Sequence, residues 1–530
     1  MTASNNHIWH PPRIYNAAYD FVDGNILAGR SEKAAFIDRS GMHTYGDLAE
    51  RVNRFGNGLI NLGVRREERV ACCLTDTIDF PTVFFGAIKM GAVPVMINTL
   101  LTEENYRYIL TDCRARVLVV SAELLDIIEP VVDEVSGINT VIISGRTPVL
   151  DTGQKDLSVV IGKQDSDLKA AETRPDEVAF WLYSSGSTGE PKGVKHLHAS
   201  MMHTARQYAW PILNICENDI VFSAAKLCFA YGLGNGLSFP MSVGATTVLF
   251  DSRPTPDDII TCLRQHQPTI FYGVPTLYAA LLANPNNSRE TASQRLRIAV
   301  SAGEPLASSI GEKFEERFGC IVLDGVGSTE MLHIYVSNRI DDNKYGTSGK
   351  PVSGYDICLV DIDGSDIPDG RVGEMLVRGA SMAEGYWNRR EKNLATFVGP
   401  WLWTGDKYVK LLDGFYQYAG RSDDMFKSGG NWVSPFDVES ALIEHPAVLE
   451  SGVIPCPDEA GNMKPKAYVV LNEGVAQSKE LVDDLKVHVK ERIEVWKYPR
   501  WIEFTEKLPK TATGKIQRFK LRAADMDRDR

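Results

Sequence analysis

A short segment rich in serine, threonine and glycine has the residue types that bind phosphate groups. Ser-Ser-Gly-Ser-Thr-Gly-Glu-Pro-Lys-Gly runs from Ser184 to Gly193 and directly follows an apolar, strand-like run at residues 178–183. Glycines let backbone N–H groups approach phosphate oxygens, hydroxyl groups add hydrogen bonds, and a lysine supplies positive charge. A flexible linker is the alternative, but linkers do not ordinarily follow a buried strand or end in Pro-Lys-Gly. The segment therefore predicts a cradle for a triphosphate.

This loop differs from the phosphate loop of kinases and GTPases. Pro191 stands before Lys192, where that motif has a glycine, and no serine or threonine follows the lysine. The difference argues against both of those enzyme classes.

Further along the chain, clusters of carboxylates, hydroxyls and basic residues follow at intervals. Each has an ordinary structural explanation when taken alone: a helix cap for Ser328 or Thr329, a solvated charge run for Asp424, and a basic surface loop near the C-terminus. The clusters are Ser301-Ala-Gly-Glu-Pro305, Asp324-Gly-Val-Gly-Ser-Thr-Glu330, Trp403-Thr-Gly-Asp406, Gly420-Arg-Ser-Asp-Asp424 and the stretch from Leu508 to Arg518.

Together and in this order, the segments between Phe180 and Arg518 resemble the signature of the adenylate-forming superfamily. That superfamily includes acyl- and aryl-CoA ligases, luciferases and the adenylation domains of peptide synthetases. The resemblance implies an enzyme that uses ATP and Mg²⁺ to convert a carboxylic acid into its acyl-adenylate and then passes the acyl group to coenzyme A.

The resemblance also implies roles for individual residues. Thr329 and Glu330 would approach the ATP phosphates, Glu330 would hold the metal ion, and Lys515 would enter the site as the catalytic lysine of adenylation. Many relatives have an aromatic residue where this chain has Val326, so adenine stacking is not expected there. The phosphate loop would comprise Ser184, Ser185, Gly186, Ser187, Thr188, Gly189 and Lys192, and the adenine and ribose contacts would be Gly303, Glu304, Pro305, Asp324, Asp406 and Arg421.

In relatives the second step follows rotation of a small C-terminal domain. By resemblance, Asp423 is the hinge, and Ser428, Gly429 and Gly430 line the coenzyme A tunnel after rotation. We therefore expect Lys515→Ala to abolish adenylation and largely spare thioester formation from supplied acyl-adenylate.

Two further segments, at residues 226–235 and 328–338, are closely similar to benzoate-CoA ligases. An aryl carboxylate is therefore the favoured acid, with Phe229 as an aromatic gate. Core packing is the alternative explanation for Phe229 and Ile334, because apolar residues need no ligand to be buried. The predicted pocket residues are Phe229, Ala230, Tyr231, Gly327, His333 and Ile334.

Other functions stay open at this point. The acid could be a substituted benzoate or another small carboxylate, and a carrier-protein thiol could replace coenzyme A as the acceptor. A catalytically silent nucleotide-binding protein of the same fold is the non-enzymatic alternative.

Two further features carry less weight. The glycines at 232, 234 and 236 lack the register of a dinucleotide-binding turn and favour a glycine-rich pocket wall. His196, His198 and His203 lack a cysteine or carboxylate partner nearby in the sequence, which favours structural histidines over a metal site.

The elements that must position these residues have the pattern of an α/β protein. Helix-like segments such as residues 45–62 alternate with short apolar runs at 117–120, 140–143, 246–250, 269–272 and 296–300, which predicts mainly parallel sheets. From about Gly346, short strands and Asp-Gly turns predict small antiparallel sheets. We expect a large N-terminal domain at 1–422, with layered α/β sheets plus a small β-rich subdomain, and a smaller, mobile α+β domain at 423–530.

Composition limits the range of partners. The chain of 530 residues is too long for one core, and its 24% charged and 44% hydrophobic residues are typical of a globular protein. A net charge of -12 argues against binding to nucleic acid or an anionic membrane surface. Nine scattered cysteines without CxxC spacing, and no apolar N-terminal run, predict a cytoplasmic protein. The sequence leaves a homodimer open.

Overall fold

The computed structural model describes residues 9–145, 153–185, 190–361, 363–422, 424–428, 431–458, 461–510 and 516–528. Within these ranges no helix is both long and apolar enough to cross a membrane. The fold is mixed α/β, with a large N-terminal part and a small C-terminal part, as predicted.

The first part of the chain builds an eight-stranded sheet. Strands β3 to β8 pair in parallel in the order β8-β4-β3-β5-β6-β7, and β9 returns antiparallel along β8. Along this part of the chain, β1 and β2 belong to the nine-stranded sheet described below, and β3 to β9 belong to the eight-stranded sheet. The strands are β1 (Ala34–Asp38), β2 (Gly41–Thr44), β3 (Arg69–Cys73), β4 (Val93–Met96), β5 (Val117–Ser121), β6 (Thr140–Ser144), β7 (Gln154–Asp156), β8 (Val178–Ser185) and β9 (Pro191–Leu197). The helices are α1 (Gly24–Leu27), α2 (Tyr45–Asn61), α3 (Asp79–Met90), α4 (Glu103–Cys113), α5 (Leu125–Glu134) and α6 (Leu157–Gly162).

Helix α2 illustrates how the local sequence determines these elements. Thr44 and Asp47 form a reciprocal capping box at its start. Leu48, Val52 and Phe55 recur at helical spacing and are fully buried. The helix is therefore fixed at its first turn and along one apolar face.

The middle of the chain builds a nine-stranded sheet. Its order is β16-β15-β14-β13-β12-β10-β11-β1-β2, parallel from β14 to β1 and antiparallel at both edges. The new strands are β10 (Ile220–Ser223), β11 (Thr246–Val248), β12 (Ile270–Gly273), β13 (Ile298–Ser301), β14 (Ile321–Gly327), β15 (Ile334–Ser337) and β16 (Lys350–Pro351). The helices are α7 (Ser200–Thr204), α8 (Ala230–Leu233), α9 (Phe239–Val243), α10 (Pro256–His266), α11 (Pro275–Ala283) and α12 (Ser308–Phe318).

A small antiparallel sheet follows, as the Asp-Gly turns predict. Gly370 and Gly414 take the left-handed conformation in turns of this sheet. Strand β19 does not belong to this small sheet. It pairs with β9 at the edge of the eight-stranded sheet. The elements are β17 (Tyr355–Val360), β18 (Val372–Gly379), β19 (Gly385–Tyr386), α13 (Arg390–Thr396), β20 (Phe397–Val398), β21 (Trp401–Lys410) and β22 (Tyr416–Arg421).

The C-terminal part has its own apolar core, which begins at Phe426 and includes Val433, Leu442, Val469 and Leu485. The charged helix α15 spans Lys479–Arg492, because Ser478 caps its start and Ile493 is extended. The elements are β23 (Phe426–Ser428), β24 (Asn431–Val433), α14 (Pro435–Ile443), β25 (Val448–Pro457), β26 (Met463–Leu471), α15 (Lys479–Arg492), β27 (Trp501–Phe504) and α16 (Arg518–Arg528).

Candidate active site

A cavity of 690 Å³ collects many of the residues that the sequence analysis selects. They come from both large sheets and from the small antiparallel sheet. Those on its wall are Ser184, Lys192, Gly303, Glu304, Pro305, Asp324, Gly327, Thr329, Glu330, Asp406 and Arg421.

Pairing between strands explains this convergence. Ser184 on β8 lies opposite Lys192 on β9, on either side of the Ser/Gly loop. Strands β13 and β14 are parallel neighbours with Ser301 beside Asp324, so the loop after β13 and the end of β14 open at one edge of the sheet.

The carboxylate of Glu330 lies in a polar group at this edge. Tyr386 Oη donates a hydrogen bond to Glu330 Oε1 at 2.7 Å, and Lys192 Nζ lies 4.7 Å from the centre of the Tyr386 ring. Burial lowers the pKa of Lys192 to about 8, although the charge of Glu330 acts in the opposite direction. Ser328 Oγ also caps the short helix Thr329–Met331 by accepting from Met331 N at 3.3 Å, so the helix-cap interpretation of Ser328 is confirmed as well.

The donor set at Glu330 fits a magnesium ion that arrives with a nucleotide. Among the described residues no group of three or more potential metal ligands occurs, so a closed protein-only site is absent there. Magnesium commonly binds through one or two carboxylates, with substrate phosphates and water as its other ligands. Glu330 would hold it on the cavity wall.

Asp324 lines the cavity, and only 3% of its surface is exposed. Burial raises the pKa of its carboxyl group to about 8. Among the described residues, Oδ1 has no hydrogen-bond partner of ordinary geometry, whereas Oδ2 accepts a long bond from Leu306 N at 3.5 Å. A buried acceptor of this kind fits a ligand N–H donor such as the adenine amino group.

Asp406 and Arg421 lie opposite each other on the antiparallel strands β21 and β22. Their side chains form an ion pair at 3.0 Å, and Arg421 Nη1 also donates to the carbonyl oxygen of Thr404 at 3.1 Å. The guanidinium group thereby holds the carboxylate at the cavity wall, where two hydroxyl groups of a ribose could donate to it.

The predicted aryl pocket is a second group of neighbours that meets the cavity at Gly327. Gly327 pairs with Ile334 across β14 and β15, and the His333 ring lies 5.6 Å from that of Tyr231. Asn235 Oδ1 lies 3.0 Å from His333 Nε2, and burial lowers the pKa of His333 to about 3, so the ring is neutral. The other five members, Phe229, Ala230, Tyr231, His333 and Ile334, are not on the cavity wall.

Comparison with known proteins decides the family. Residues 25–387 match the model described as AMP-binding enzyme, and residues 437–515 match the model of the AMP-binding enzyme C-terminal domain. The chain belongs to the AMP-binding enzyme family.

Similar members of this family are named as CoA ligases of aromatic acids. The chain is 54% identical to a benzoate-CoA ligase of Thauera aromatica over 97% of both chains. It is 50% identical to a 4-hydroxybenzoate-CoA/benzoate-CoA ligase of Rhodopseudomonas palustris, covering 97% of this chain and 94% of the relative.

Solved structures agree with the sequence comparison. A benzoate CoA ligase from Burkholderia xenovorans LB400 has a TM-score of 0.89 at 49% identity, covering 96% of this chain and 100% of that one. An anthranilate CoA ligase in complex with anthranoyl-AMP has a TM-score of 0.93 at 42% identity, covering 97% and 98%.

Several predicted site residues of this AMP-binding enzyme lie outside the described residues: Gly186, Ser187, Thr188, Gly189, Asp423, Gly429, Gly430 and Lys515. The backbone of Ser185 ends β8. Ser428 is described, is buried in β23 and does not line the cavity.

The interpretation of Asp424 as a solvated charge is wrong. Its side chain forms ion pairs with Arg518 at 3.2 Å and Arg522 at 2.9 Å, and only 16% of it is exposed. Both arginines lie on α16, almost a hundred residues later, so the local sequence could not reveal them.

The cavity also has residues that sequence reasoning missed. Tyr386, Lys392 and Lys510 line it, and Lys510 pairs with Glu450 at 2.5 Å. Neither Tyr386 nor Lys392 lies in a segment with the pattern of a phosphate-binding loop. Tyr386 is brought to the site by the pairing of β19 with β9, which the local sequence does not reveal.

The three histidines are buried, and the structure favours the structural interpretation. Burial lowers the pKa of His196 and His198 to about 3 and that of His203 to about 4. His198 Nδ1 accepts a hydrogen bond from the backbone of Ala17 at 3.2 Å.

Proposed function

We propose that this AMP-binding enzyme is a benzoate-CoA ligase. It would convert ATP, benzoate and coenzyme A into benzoyl-CoA, AMP and diphosphate through a benzoyl-adenylate. The observation that carries this proposal is the 54% identity to the Thauera aromatica ligase along 97% of both chains. The relative at 50% identity is also named for benzoate.

The first step joins two anions. A benzoate oxygen would bond to the α-phosphorus of ATP as the bond from that phosphorus to the bridging oxygen breaks, and the electron pair would leave with diphosphate. The barrier includes repulsion between the reactants and charge that develops on the leaving group. Lys192, Thr329 and the Ser/Gly loop would bind the phosphates, and Mg²⁺ held by Glu330 would neutralise further charge.

Nucleotide placement would depend on two groups of residues that line the same cavity. Asp324 would accept from the adenine amino group beside the loop of Gly303, Glu304 and Pro305, and Asp406 would accept from the ribose hydroxyls. The orphaned acceptor on Asp324 and the paired position of Asp406 support these roles.

The acid would bind beyond Gly327, in a slot formed by Phe229, Ala230, Tyr231, His333 and Ile334. The His333 ring contacts those of Tyr231 and Phe239, with centres 5.6 Å and 4.4 Å away. A neutral imidazole packed among aromatic rings suits an uncharged benzene ring.

We propose the domain division at 1–422 and 423–530, with Asp423 as the hinge. Lys515 would serve adenylation, and Ser428, Gly429 and Gly430 would line the path of coenzyme A after rotation. The thiol sulfur of coenzyme A would then attack the benzoyl carbonyl of the adenylate. AMP would leave, and the thiol proton would be released. The separate apolar core that begins at Phe426 supports this division.

The test measures AMP formation by the purified protein with ATP, Mg²⁺ and coenzyme A. The acids are benzoate, 4-hydroxybenzoate, 2-aminobenzoate, acetate and hexanoate. We expect the highest kcat/KM with benzoate and free coenzyme A as acceptor. A higher value for 4-hydroxybenzoate would favour the alternative that the second relative's name suggests. Absence of acid-dependent diphosphate release would contradict the proposed activity.

A further inference from the structure

Helix α13 presents two side chains to the active-site cavity. Lys392 and Thr396 lie four residues apart, which places them on one face of the helix, and both line the cavity together with Tyr386. Lys392 is half-buried. The sequence analysis assigns no role to this helix.

The position of α13 is fixed by hydrogen bonds to the strand before it. Asn393 Oδ1 accepts from Tyr386 N at 2.7 Å, and Asn393 Nδ2 donates to Tyr386 O at 2.8 Å. Arg389 Nη2 donates to Glu190 Oε2 at 2.9 Å, at the end of the phosphate loop. The start of the helix is thereby tied to Glu190.

Positive charge is concentrated on the cavity wall beside α13. Lys192, Lys392 and Arg421 all line this cavity. After burial, which is the main cause, the charges of Lys392 and Arg421 also lower the pKa of Lys192. Glu330 already accepts a hydrogen bond from Tyr386. Positive charges gathered on one cavity wall repel one another, and a polyanion bound between them would convert that repulsion into attraction.

We propose that Lys392 is a second phosphate-binding lysine, which contacts the β- and γ-phosphates of ATP and the diphosphate that leaves. The inference rests on the proposed function for the identity of the nucleotide. Lys392 would add a cation from α13, which lies about two hundred residues after the Ser/Gly loop. The contact would hold the leaving group, whereas the adenine and ribose contacts hold the AMP portion.

The test compares Lys392→Met with Arg390→Met by calorimetry. Arg390 is exposed, lies on the same helix and does not line the cavity, so its replacement removes the same charge from the same element. We expect Lys392→Met to weaken the binding of MgATP and of diphosphate by about tenfold or more, since hydrogen bonds to charged groups are strong. AMP binding should stay within about twofold, and Arg390→Met should match the wild type in all three.

A second variant and a second readout separate the possible failures. Lys392→Arg keeps the charge and should recover most of the MgATP affinity. Equal MgATP and diphosphate affinity in Lys392→Met and wild type would overturn the assignment. An equal loss for AMP would also overturn it, because it would show a general structural role. If wild type lacks benzoate-dependent exchange between ATP and diphosphate, the proposed function fails, but the calorimetric contrast still decides the role of Lys392.

Discussion

Asp324 shows how one buried side chain can link nucleotide binding to pH. Asp324 lies in the middle of β14, and burial raises the pKa of its carboxyl group from an ordinary 3.8 to about 8. The free protein therefore holds a proton there at neutral pH. A donor such as the adenine amino group stabilises the ionised form and would lower this pKa on binding.

The first prediction is that AMP binding releases a proton from Asp324. Affinity should increase as pH rises from 6 towards about 8, by up to about tenfold per unit, and then level off once the free carboxyl group is ionised. Calorimetric titrations across this range measure the slope, and buffers of different ionisation enthalpy count the protons. Asp324→Asn keeps an acceptor oxygen but cannot titrate, so its slope should vanish. An unchanged slope in Asp324→Asn would assign the proton to another group.

At the residue scale, sequence reasoning selected residues from short contiguous motifs that the structure brings to one cavity. Ser184, Lys192, Glu330 and Asp406 all reach the cavity wall as their motifs suggest. It failed for Asp424, whose partners come from α16. A motif records which residue types are adjacent in sequence, whereas an ion pair between distant residues depends on how the chain folds.

The hairpin of β14 and β15 connects the nucleotide cavity to the predicted aryl slot. Gly327 is the contact point: a Cβ atom there would lie 2.6 Å from the carbonyl oxygen of His333. Backbone cannot move aside as a flexible side chain can. Any side chain at 327 therefore displaces β15, which carries Ile334 directly after His333.

The second prediction concerns Gly327→Ala. Displacement of β15 should lower kcat/KM for benzoate by at least about tenfold, because the slot loses its shape, while AMP affinity changes by less than about threefold. Steady-state kinetics and calorimetry measure the two effects. Gly162→Ala is the matched control, since its added Cβ meets nothing within 4 Å. Parallel loss of benzoate turnover and AMP binding in Gly327→Ala would contradict a separate aryl slot.

The junction between β19 and α13 is held by a small number of hydrogen bonds. The Asn393 side chain makes two hydrogen bonds to the backbone of Tyr386. Tyr386 and Lys392, which that junction connects, both line the cavity.

The third prediction is that Asn393→Ala loosens this junction locally. Loss of the two bonds should speed hydrogen exchange across residues 385–396 by about tenfold or more and weaken MgATP binding, with AMP binding retained. Exchange followed by mass spectrometry locates the effect. Leu394→Ala, at a 64% exposed position of the same helix, serves as the control. Unchanged exchange in Asn393→Ala would show that other contacts hold α13.

At the element scale, periodicity predicts local structure well and long-range pairing poorly. The predicted helix at 45–62 forms as Tyr45–Asn61, and the apolar runs at 117–120 and 140–143 form β5 and β6. The pairing of β1 with β11, about two hundred residues apart, has no local signal. Strand partners are chosen by the packing of the whole sheet, which a local window does not contain.

At the scale of the whole molecule, the ion pairs of Asp424 bear on where the C-terminal part could rotate relative to the N-terminal part. Arg518 and Arg522 tie α16 to the first described residue after position 423, and Arg518 also pairs with Glu439 on α14 at 2.6 Å. The C-terminal part is thereby held together up to Asp424. A rotation just before Asp424 would preserve these ion pairs, which supports the proposed hinge at Asp423.

The fourth prediction tests whether two faces of the C-terminal part serve two reactions. Lys515→Ala should lower the rate of ATP-dependent benzoyl-adenylate formation by at least about a hundredfold, because it removes a cation from a reaction between anions. Thioester formation from supplied benzoyl-adenylate and coenzyme A should stay within about threefold, since under the proposed rotation the segment near Ser428 would replace Lys515. Single-turnover assays of each half-reaction measure both rates. Lys507→Ala removes an exposed charge from the same region and should leave both unchanged. Equal loss of the two half-reactions in Lys515→Ala would contradict the division of labour, because a single fixed arrangement would then serve both steps.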